Sequence, residues 1–381
     1  QLYLNHNYFS GEILTKITNL TNLITLDLRG SYFEGTIPAE IGNLTNLVRF
    51  DLYGNYITGV IPAEIGNLTN LEFLRLSLNQ FTGEIPSEIG SIYSLVHLEL
   101  NANQFVGQIP GEIGSLTNLN YLDMGENLLS GEIPSEIGNL TNLTELYLKD
   151  NQLSGEIPFQ MFDLINLELL RIENNQLTGE IPSQIGNLIN LEELWSQGNQ
   201  FTGGIPEEIG GLSNLTHLDL GVNQFSGEIP VEMGNLINIS YFHLHNNQLT
   251  GEIPSEIGDL TNLTNIDLHD NQLSGLISEN LCNIINVNVT ENQLCPPYPE
   301  CLSEEQIGYQ DTSECPPIIW GCMDEEACNY NPDAHNDDGS CDVGYVVLWD
   351  ECYNIEETTS LDLSGSNLTG SIPPDIGNLV N

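Results

Sequence analysis

Two groups of residues carry donor atoms at spacings suited to a ligand. The first is the run GCMDEEACNYNPDAHNDDGSC, residues 321–341, where Asp324, Asn329, Asn331, Asp333, Asp337 and Asp338 crowd oxygen donors beside Gly339. Hard oxygens in a short loop-rich segment suit calcium, so a structural calcium is the expected cofactor. The spacing departs from that of an EF-hand loop, and Asn and Asp also shape turns without any ion. His335 in this run is read as solvent-facing. The second group is His243, His245 and His269 with Asp219 and Asp267. Imidazole and carboxylate donors suit a transition metal, although exposed strand histidines are commoner without one. No G-x-S-x-G, H-E-x-x-H or phosphate-loop motif occurs, and acids are too numerous for any one pair to stand out. The expectation is a protein that is not an enzyme.

The cysteines mark a compartment. Cys282, Cys295, Cys301, Cys315, Cys322, Cys328, Cys341 and Cys352 form an even set confined to residues 282–352. Such a set reads as a disulfide framework in an oxidising, extracellular or cell-surface setting. No C-x-x-C pair argues for zinc, and the pairing is left open. Ten N-x-(S/T) sequons, at Asn19, Asn43, Asn67, Asn139, Asn142, Asn214, Asn238, Asn262, Asn288 and Asn367, are candidate glycosylation sites expected on an exposed convex turn.

Positioning all of this is a strict period. A glycine returns every 24 residues from Gly11 to Gly275. Fixed periods of this size mean stacked units that bury their apolar faces on one another. In the unit LEFLRLSLNQFTGEIPSEIGSIYSL, residues 71–95, Leu71, Leu74 and Leu76 alternate as a short strand. Asn79 can bond backbone groups of the loop that leaves the strand, so an internal asparagine ladder is expected. Phe81 plugs the core, Gly83 permits a turn, and Ile89, Ile92 and Leu95 fill the far side. Ten prolines from Pro38 to Pro254 share one register, which argues against a continuous helix or closed sheet there.

The pattern L-x-x-L-x-L-x-x-N-x-(L/F)-(T/S)-G-x-I-P-x-x-I-G-N-L resembles the plant-type leucine-rich repeat of receptor ectodomains, polygalacturonase-inhibiting proteins and secreted microbial proteins. The resemblance implies an α/β-type solenoid: a right-handed superhelix with a concave parallel β-sheet and an irregular or 3-10 convex side, plus a small disulfide-rich module. Ser31 and Ser366 replace the ladder asparagine, and Ser196 replaces a strand leucine. The run 321–341 resembles small cysteine-bounded calcium modules of secreted proteins. The expected division is an array over 1–281, a disulfide-rich cap over 282–315, a Cys/Asp/Asn-rich linker module over 316–341, and the N-terminal cap and first repeat of a next array over 342–381. Trp349, Cys352, Leu361, Leu363, Gly370 and Pro373 carry that last resemblance.

Charge narrows the partners. Fifty-four acids oppose six Lys plus Arg, a net charge of −48, which disfavours nucleic acid and anionic membranes. No apolar run is long enough for membrane insertion. The bases Arg29, Arg49, Arg75, Lys149 and Arg171 fall at outward strand positions with Tyr3, Tyr53, Phe73, Tyr121, Tyr147, Trp195 and Tyr241. Stacking puts Asp51, Arg75 and Glu99 in one column, and Tyr147, Arg171 and Trp195 further along it, a guanidinium between two rings, with Lys149 beside Glu173. His243 shares a face with His245, and His269 lies next to His245. These columns read either as internal neutralisation or as a binding face for a glycan or protein. Because the chain starts on strand residues Leu2 and Leu4 and ends inside a new repeat, the leading expectation is copies joined head to tail in an extracellular filament or long adhesin. The alternative is a soluble recognition module that binds on its concave face.

Overall fold

The computed structural model describes residues 1–324, 327, 329–334, 336, 337, 339–341, 344–348, 351–366, 371, 372, 376 and 379. Trp349, Gly370 and Pro373 lie outside the described residues. The chain divides into two compact units, residues 1–294 with 299–311, and residues 295–298 with 312–381.

The first unit is the solenoid. Thirteen short strands, from Leu2–Tyr3 to Asn286–Asn288, pair parallel in chain order to form the concave sheet. Register advances by one repeat per strand, so Leu74 pairs with Phe50 on one side and Leu98 on the other. Strand side chains alternate between faces. The middle residues Leu26, Phe50, Leu74, Leu98 and Leu122 are therefore fully buried, and their neighbours build the concave surface. A second row of short parallel strands follows each turn and pairs as a nine-stranded and a four-stranded sheet. The convex side carries eleven five-residue 3-10 helices, from Ala39–Asn43 to Glu279–Asn283. The repeated proline sits just before the helix, extended, as at Pro86 with φ −69° and ψ 134°. Its fixed φ suits that position, and its missing N–H costs nothing there. At Gly90 a Cβ would lie 2.3 Å from the carbonyl oxygen of Glu112 in the next coil, so adjacent convex turns approach at backbone distance. Phe162 replaces this glycine in one coil and is buried.

The ladder forms as expected. Asn127 Nδ2 donates to the carbonyls of Leu100 (3.2 Å), Met124 (3.2 Å) and Gly125 (2.9 Å), while its Oδ1 accepts the N–H of Phe105 at 3.1 Å. The residue before each rung is driven into the left-handed region: φ is 52° at both Leu78 and Val222. That conformation is costly for a β-branched side chain, and the rung holds it. At Ser31 only two long bonds replace four, from Asn7 N at 3.3 Å and to Leu4 O at 3.5 Å.

The sheet continues past residue 281. Asn292 supplies a further rung to Leu268, Val289 and Thr290. Gln310 then supplies a last one: its Nε2 donates to Val289 O (2.8 Å) and Ile307 O (2.6 Å), and its Oε1 accepts Leu294 N–H at 3.0 Å. A longer amide side chain from the helix-bearing segment thus finishes the series. That helix, Glu304–Ile307, begins with a capping box between Ser303 and Gln306.

Cys282 bonds Cys301 in the first unit, while Cys295–Cys315 and Cys322–Cys341 close loops in the second. Cys352 is also disulfide-bonded. Cys328 lies outside the described residues. In the second unit Trp320–Gly321 pairs parallel with Asn336–Asp337, and Tyr345–Leu348 forms an antiparallel hairpin with Glu351–Asn354.

Two substitutions test this scheme. Asn127→Ala strands the buried Phe105 N–H and takes one of two donors from each of three carbonyls, which keep Asn103 Nδ2, Asn151 Nδ2 and the Ala102 N–H. It is expected to cost about 2 kcal/mol, read as a lowered midpoint in urea unfolding. Val222→Asn places a residue tolerant of positive φ at an exposed rung-preceding position. It is expected to gain about 0.5–1 kcal/mol in the same measurement.

Candidate functional site

The outward residues of the concave strands form three columns, because each strand repeats its neighbour's register. The first runs Arg49, Phe73, His97, Tyr121, Glu145, Leu169, Glu193, His217, Tyr241. The second runs Asp51, Arg75, Glu99, Asp123, Tyr147, Arg171, Trp195, Asp219, His243, Asp267. A third, two residues further along each strand, holds Tyr53, Ser77, Lys149, Glu173, Gln197, Gly221, His245 and His269. All ten expected face residues, Tyr53, Arg75, Tyr121, Tyr147, Arg171, Trp195, Tyr241, His243, His245 and His269, occupy these columns. All are half-buried except His243, which is buried.

The N-terminal part is an ion network. Asp51, wholly buried, receives Arg49 at 2.7 Å, Arg75 at 3.3 Å and Arg29 at 3.8 Å. Arg75 also holds Glu99 in a bidentate pair, and Ser77 Oγ donates to Glu99 Oε1 at 2.7 Å. Burial alone would raise the Glu99 carboxyl. Hydrogen bonds from His97, Arg75 and Ser77, with the Arg75 charge, instead draw it down to about 2. One coil on, Asp123 lacks such a partner. Burial pushes its carboxyl up to about 7, against the Gly125 N–H bond that favours the charged form and with Glu99 adding to the rise.

The centre is aromatic. His97 stacks on Tyr121 with centroids 4.2 Å apart, Phe73 tilts on His97 at 6.2 Å, and Tyr147 tilts on Tyr121 at 5.4 Å. Arg171 lies 4.7 Å over the Trp195 ring. It is not sandwiched between two rings: Tyr147 turns its hydroxyl to Glu145 Oε2 at 2.6 Å instead. Trp195, His217 and Tyr241 form a second aromatic group, at 5.7, 5.4 and 5.8 Å between centroids. Lys149 feels the charge of Glu173, but its ion pair is with Glu126 at 2.8 Å. Around Trp195, Arg171 Nε, Glu173 Oε2 and Gln197 Oε1 are buried without a hydrogen-bond partner.

The C-terminal part holds the histidines. Asp219 and Asp267 flank His243 in register. Tyr241 stacks on His243 at 3.6 Å, and His269 stacks on His245 at 5.0 Å. Burial lowers the His243 imidazole to about 4 and raises the Asp219 carboxyl. His269 is held by Asp267 Oδ1 at 2.6 Å.

Sequence reasoning passed over His97 and His217. Each completes an aromatic run at the first outward position, beside Tyr121 and Tyr241, and reading that position as a column finds them. Of the expected oxygen ligands in the second unit, Asp324, Asn329 and Asp333 are exposed and Asn331 is half-buried. Asn331 Oδ1 accepts Asp333 N–H at 3.1 Å, and Asn329 Nδ2 donates to Ser340 O at 2.6 Å. Asp337 lies in the strand Asn336–Asp337. Asp338 and His335 lie outside the described residues, as does Asn367. The sequon residues from Asn19 to Asn262 are exposed. Asn288 departs from the convex expectation: it sits half-buried on the last concave strand, with Nδ2 3.1 Å from His269 Nδ1. No described helix is long and apolar enough to cross a membrane.

A leucine-rich repeat region model matches residues 107–229, and a single-repeat model matches 22–44, 46–68, 70–92, 94–116, 238–260, 262–284 and 357–379. The chain belongs to the leucine-rich repeat family. The last match places a further leucine-rich repeat after the cysteine-rich stretch. Among solved structures, the Arabidopsis receptor kinase HAESA, in complex with the peptide hormone IDA and the co-receptor SERK1, is 36% identical. Its TM-score is 0.72, over 76% of this leucine-rich repeat chain and 53% of that one. The plant peptide hormone receptor RGFR1, in complex with RGF2, is 34% identical with a TM-score of 0.56, over 77% and 59%. The internalin inlF of Listeria monocytogenes is 25% identical with a TM-score of 0.64, over 82% and 86%. The chain thus spans just over half the length of the two plant receptors. Comparison with curated protein sequences gives no match. The receptor likenesses favour the recognition module expected second from the sequence; nothing in them supports the filament expected first.

The two carboxyls give opposite pH signatures. Folded Glu99 releases its proton more readily than the unfolded chain, so its contribution is fully present above its ordinary 4.5 and is lost as pH falls toward 2. Glu99→Gln is expected to lower the melting temperature at pH 7, with the deficit closing as the acid limit is approached. Folded Asp123 holds its proton longer, so it costs stability progressively as pH climbs from 3.8 to about 7. Asp123→Asn is expected to melt above the parent at pH 8 and to match it near pH 4.

Proposed function

We propose that the concave face is a recognition surface for an extended peptide or a protein segment, in an extracellular or cell-surface setting. The carrying observation is the group around Trp195. An aromatic ring under a guanidinium adjoins three buried polar atoms, Arg171 Nε, Glu173 Oε2 and Gln197 Oε1, that have no partner in the protein. Unsatisfied buried polar atoms are costly and are normally paired. A docked main chain supplies both donors and acceptors to such atoms, and Trp and Tyr are the residue types that anchor interfaces. The plant receptors solved with peptide hormones support the same reading.

Charge shapes the choice of segment. The arginines are already neutralised by Asp51, Glu99, Glu173 and Glu193. The face therefore offers aromatic stacking and neutral or acidic acceptors, which suits a segment with backbone donors and basic or aromatic side chains. The disulfides fit the proposed extracellular location.

A peptide library displayed on phage and panned against the purified chain tests this. Enriched peptides are expected to lose at least about tenfold in affinity on Trp195→Ala or Tyr241→Ala, and to bind the convex-side variant Glu136→Gln as they bind the parent. Peptides that bind all four proteins equally would place recognition elsewhere.

A further inference from the structure

We infer that Asp219, His243 and His245 form a binding site for one divalent transition-metal ion, zinc in the first instance, near the C-terminal end of the concave sheet. One carboxylate oxygen and one imidazole nitrogen from each histidine lie within 4.8 Å of one another. Ligand atoms on a single tetrahedral zinc are roughly 3.4 Å apart. Side-chain adjustments of about an ångström close that gap, with no backbone movement.

Four features show a built site rather than a chance cluster of polar groups. His243 is 8% exposed and its Nε2 has no hydrogen-bond partner; His245 Nδ1 is likewise buried and unpartnered. A buried imidazole nitrogen without a partner is a costly feature to retain. The two rings meet edge to face at 82°, and each is backed by another ring, Tyr241 behind His243 and His269 beside His245. Asp219 is oriented from its far side: Gly221 N–H donates to Oδ1 at 2.9 Å, which leaves Oδ2 facing the His243 ring. Outer hydrogen bonds of this kind aim metal ligands. Finally, Gly221 makes room. A Cβ there would lie 2.3 Å from His245 Cε1, whereas most coils carry a side chain in the same column, such as Ser77, Lys149 or Gln197, Gly125 being the other glycine. His245 occupies the space that a side chain at 221 would take.

Two imidazoles and one carboxylate are borderline donors that favour zinc, nickel and copper over calcium or magnesium. This separates the site from the many exposed acids, whose affinity for divalent ions is weak and oxygen-based. Three protein ligands leave a fourth position for water or for a donor from a bound partner.

The test uses the full chain, stripped with chelator, and zinc chloride alone as probe. Calorimetry at pH 7.5 with excess calcium present is expected to show one tight equivalent per chain. His245→Gln and Asp219→Asn are each expected to weaken it at least tenfold, and Gly221→Ala to weaken it by displacing the ring. Cobalt(II) is expected to give visible d–d bands in the parent that His245→Gln abolishes. His245 is only half-buried, so its variant retains the fold, checked by an unchanged circular dichroism spectrum. Absence of a saturable equivalent, displacement of zinc by calcium, or equal zinc binding in parent, His245→Gln and Asp219→Asn would each overturn the assignment.

Discussion

The side-chain amide of one asparagine per coil is the interaction on which the rest of this structure depends. Each rung donates to carbonyls of its own coil and of the coil before, and accepts an amide from that preceding coil. It therefore fixes a local turn and an inter-coil register at the same time. Buried backbone groups must be paired, and in the tight loop leaving each strand groups such as Leu100 O, Met124 O and the Phe105 N–H are met by these amides. The amide, with two donors and an acceptor of two lone pairs, meets that demand from a single residue. Leu78 and Val222 accept a left-handed backbone because the rung beside them holds it. Where the chain must stop repeating, Gln310 repeats the same chemistry from a different element.

Register fixed in this way turns strand positions into columns, and columns bring distant residues together. Arg75 meets Asp51 and Glu99 because each is one repeat away. The same spacing joins Arg171 to Trp195 and Asp219 to His243. A one-residue slip on any strand would exchange buried Leu74 or Leu98 for a polar neighbour, so the concave chemistry and the apolar core are protected by one constraint. Among the described residues, the acids outside these columns are mostly exposed, where they keep the chain strongly negative without entering the face.

Much of this was legible in the residues. The 24-residue glycine series, the strand leucines and Asn79 led to the sheet, the ladder and the convex turns, because each repeats with its environment. The ion column at Arg75 followed from register alone. What the period could not show were orientations chosen by neighbours. Tyr147 turned to Glu145 rather than to Arg171, and Lys149 paired with Glu126 across the loop, since side chains select the nearer partner among several within reach. Asn288 was misplaced because the last coil is shorter than the others, which moves its sequon onto the sheet. Gln310 escaped notice because no repeat announces it. The head-to-tail filament was inferred from the phase of the ends, which says nothing about what docks there, while the likeness to receptor ectodomains bears on the face itself.

Hydrogen exchange on the intact chain, resolved to single amides, tests the ladder most directly. The amides of Phe105, Leu129, Leu153 and Leu177 each donate to an asparagine Oδ1. They are expected to be among the slowest to exchange, with protection falling toward the coil where Ser31 substitutes for the rung. Exchange of these four amides as fast as that of exposed convex amides would contradict the account.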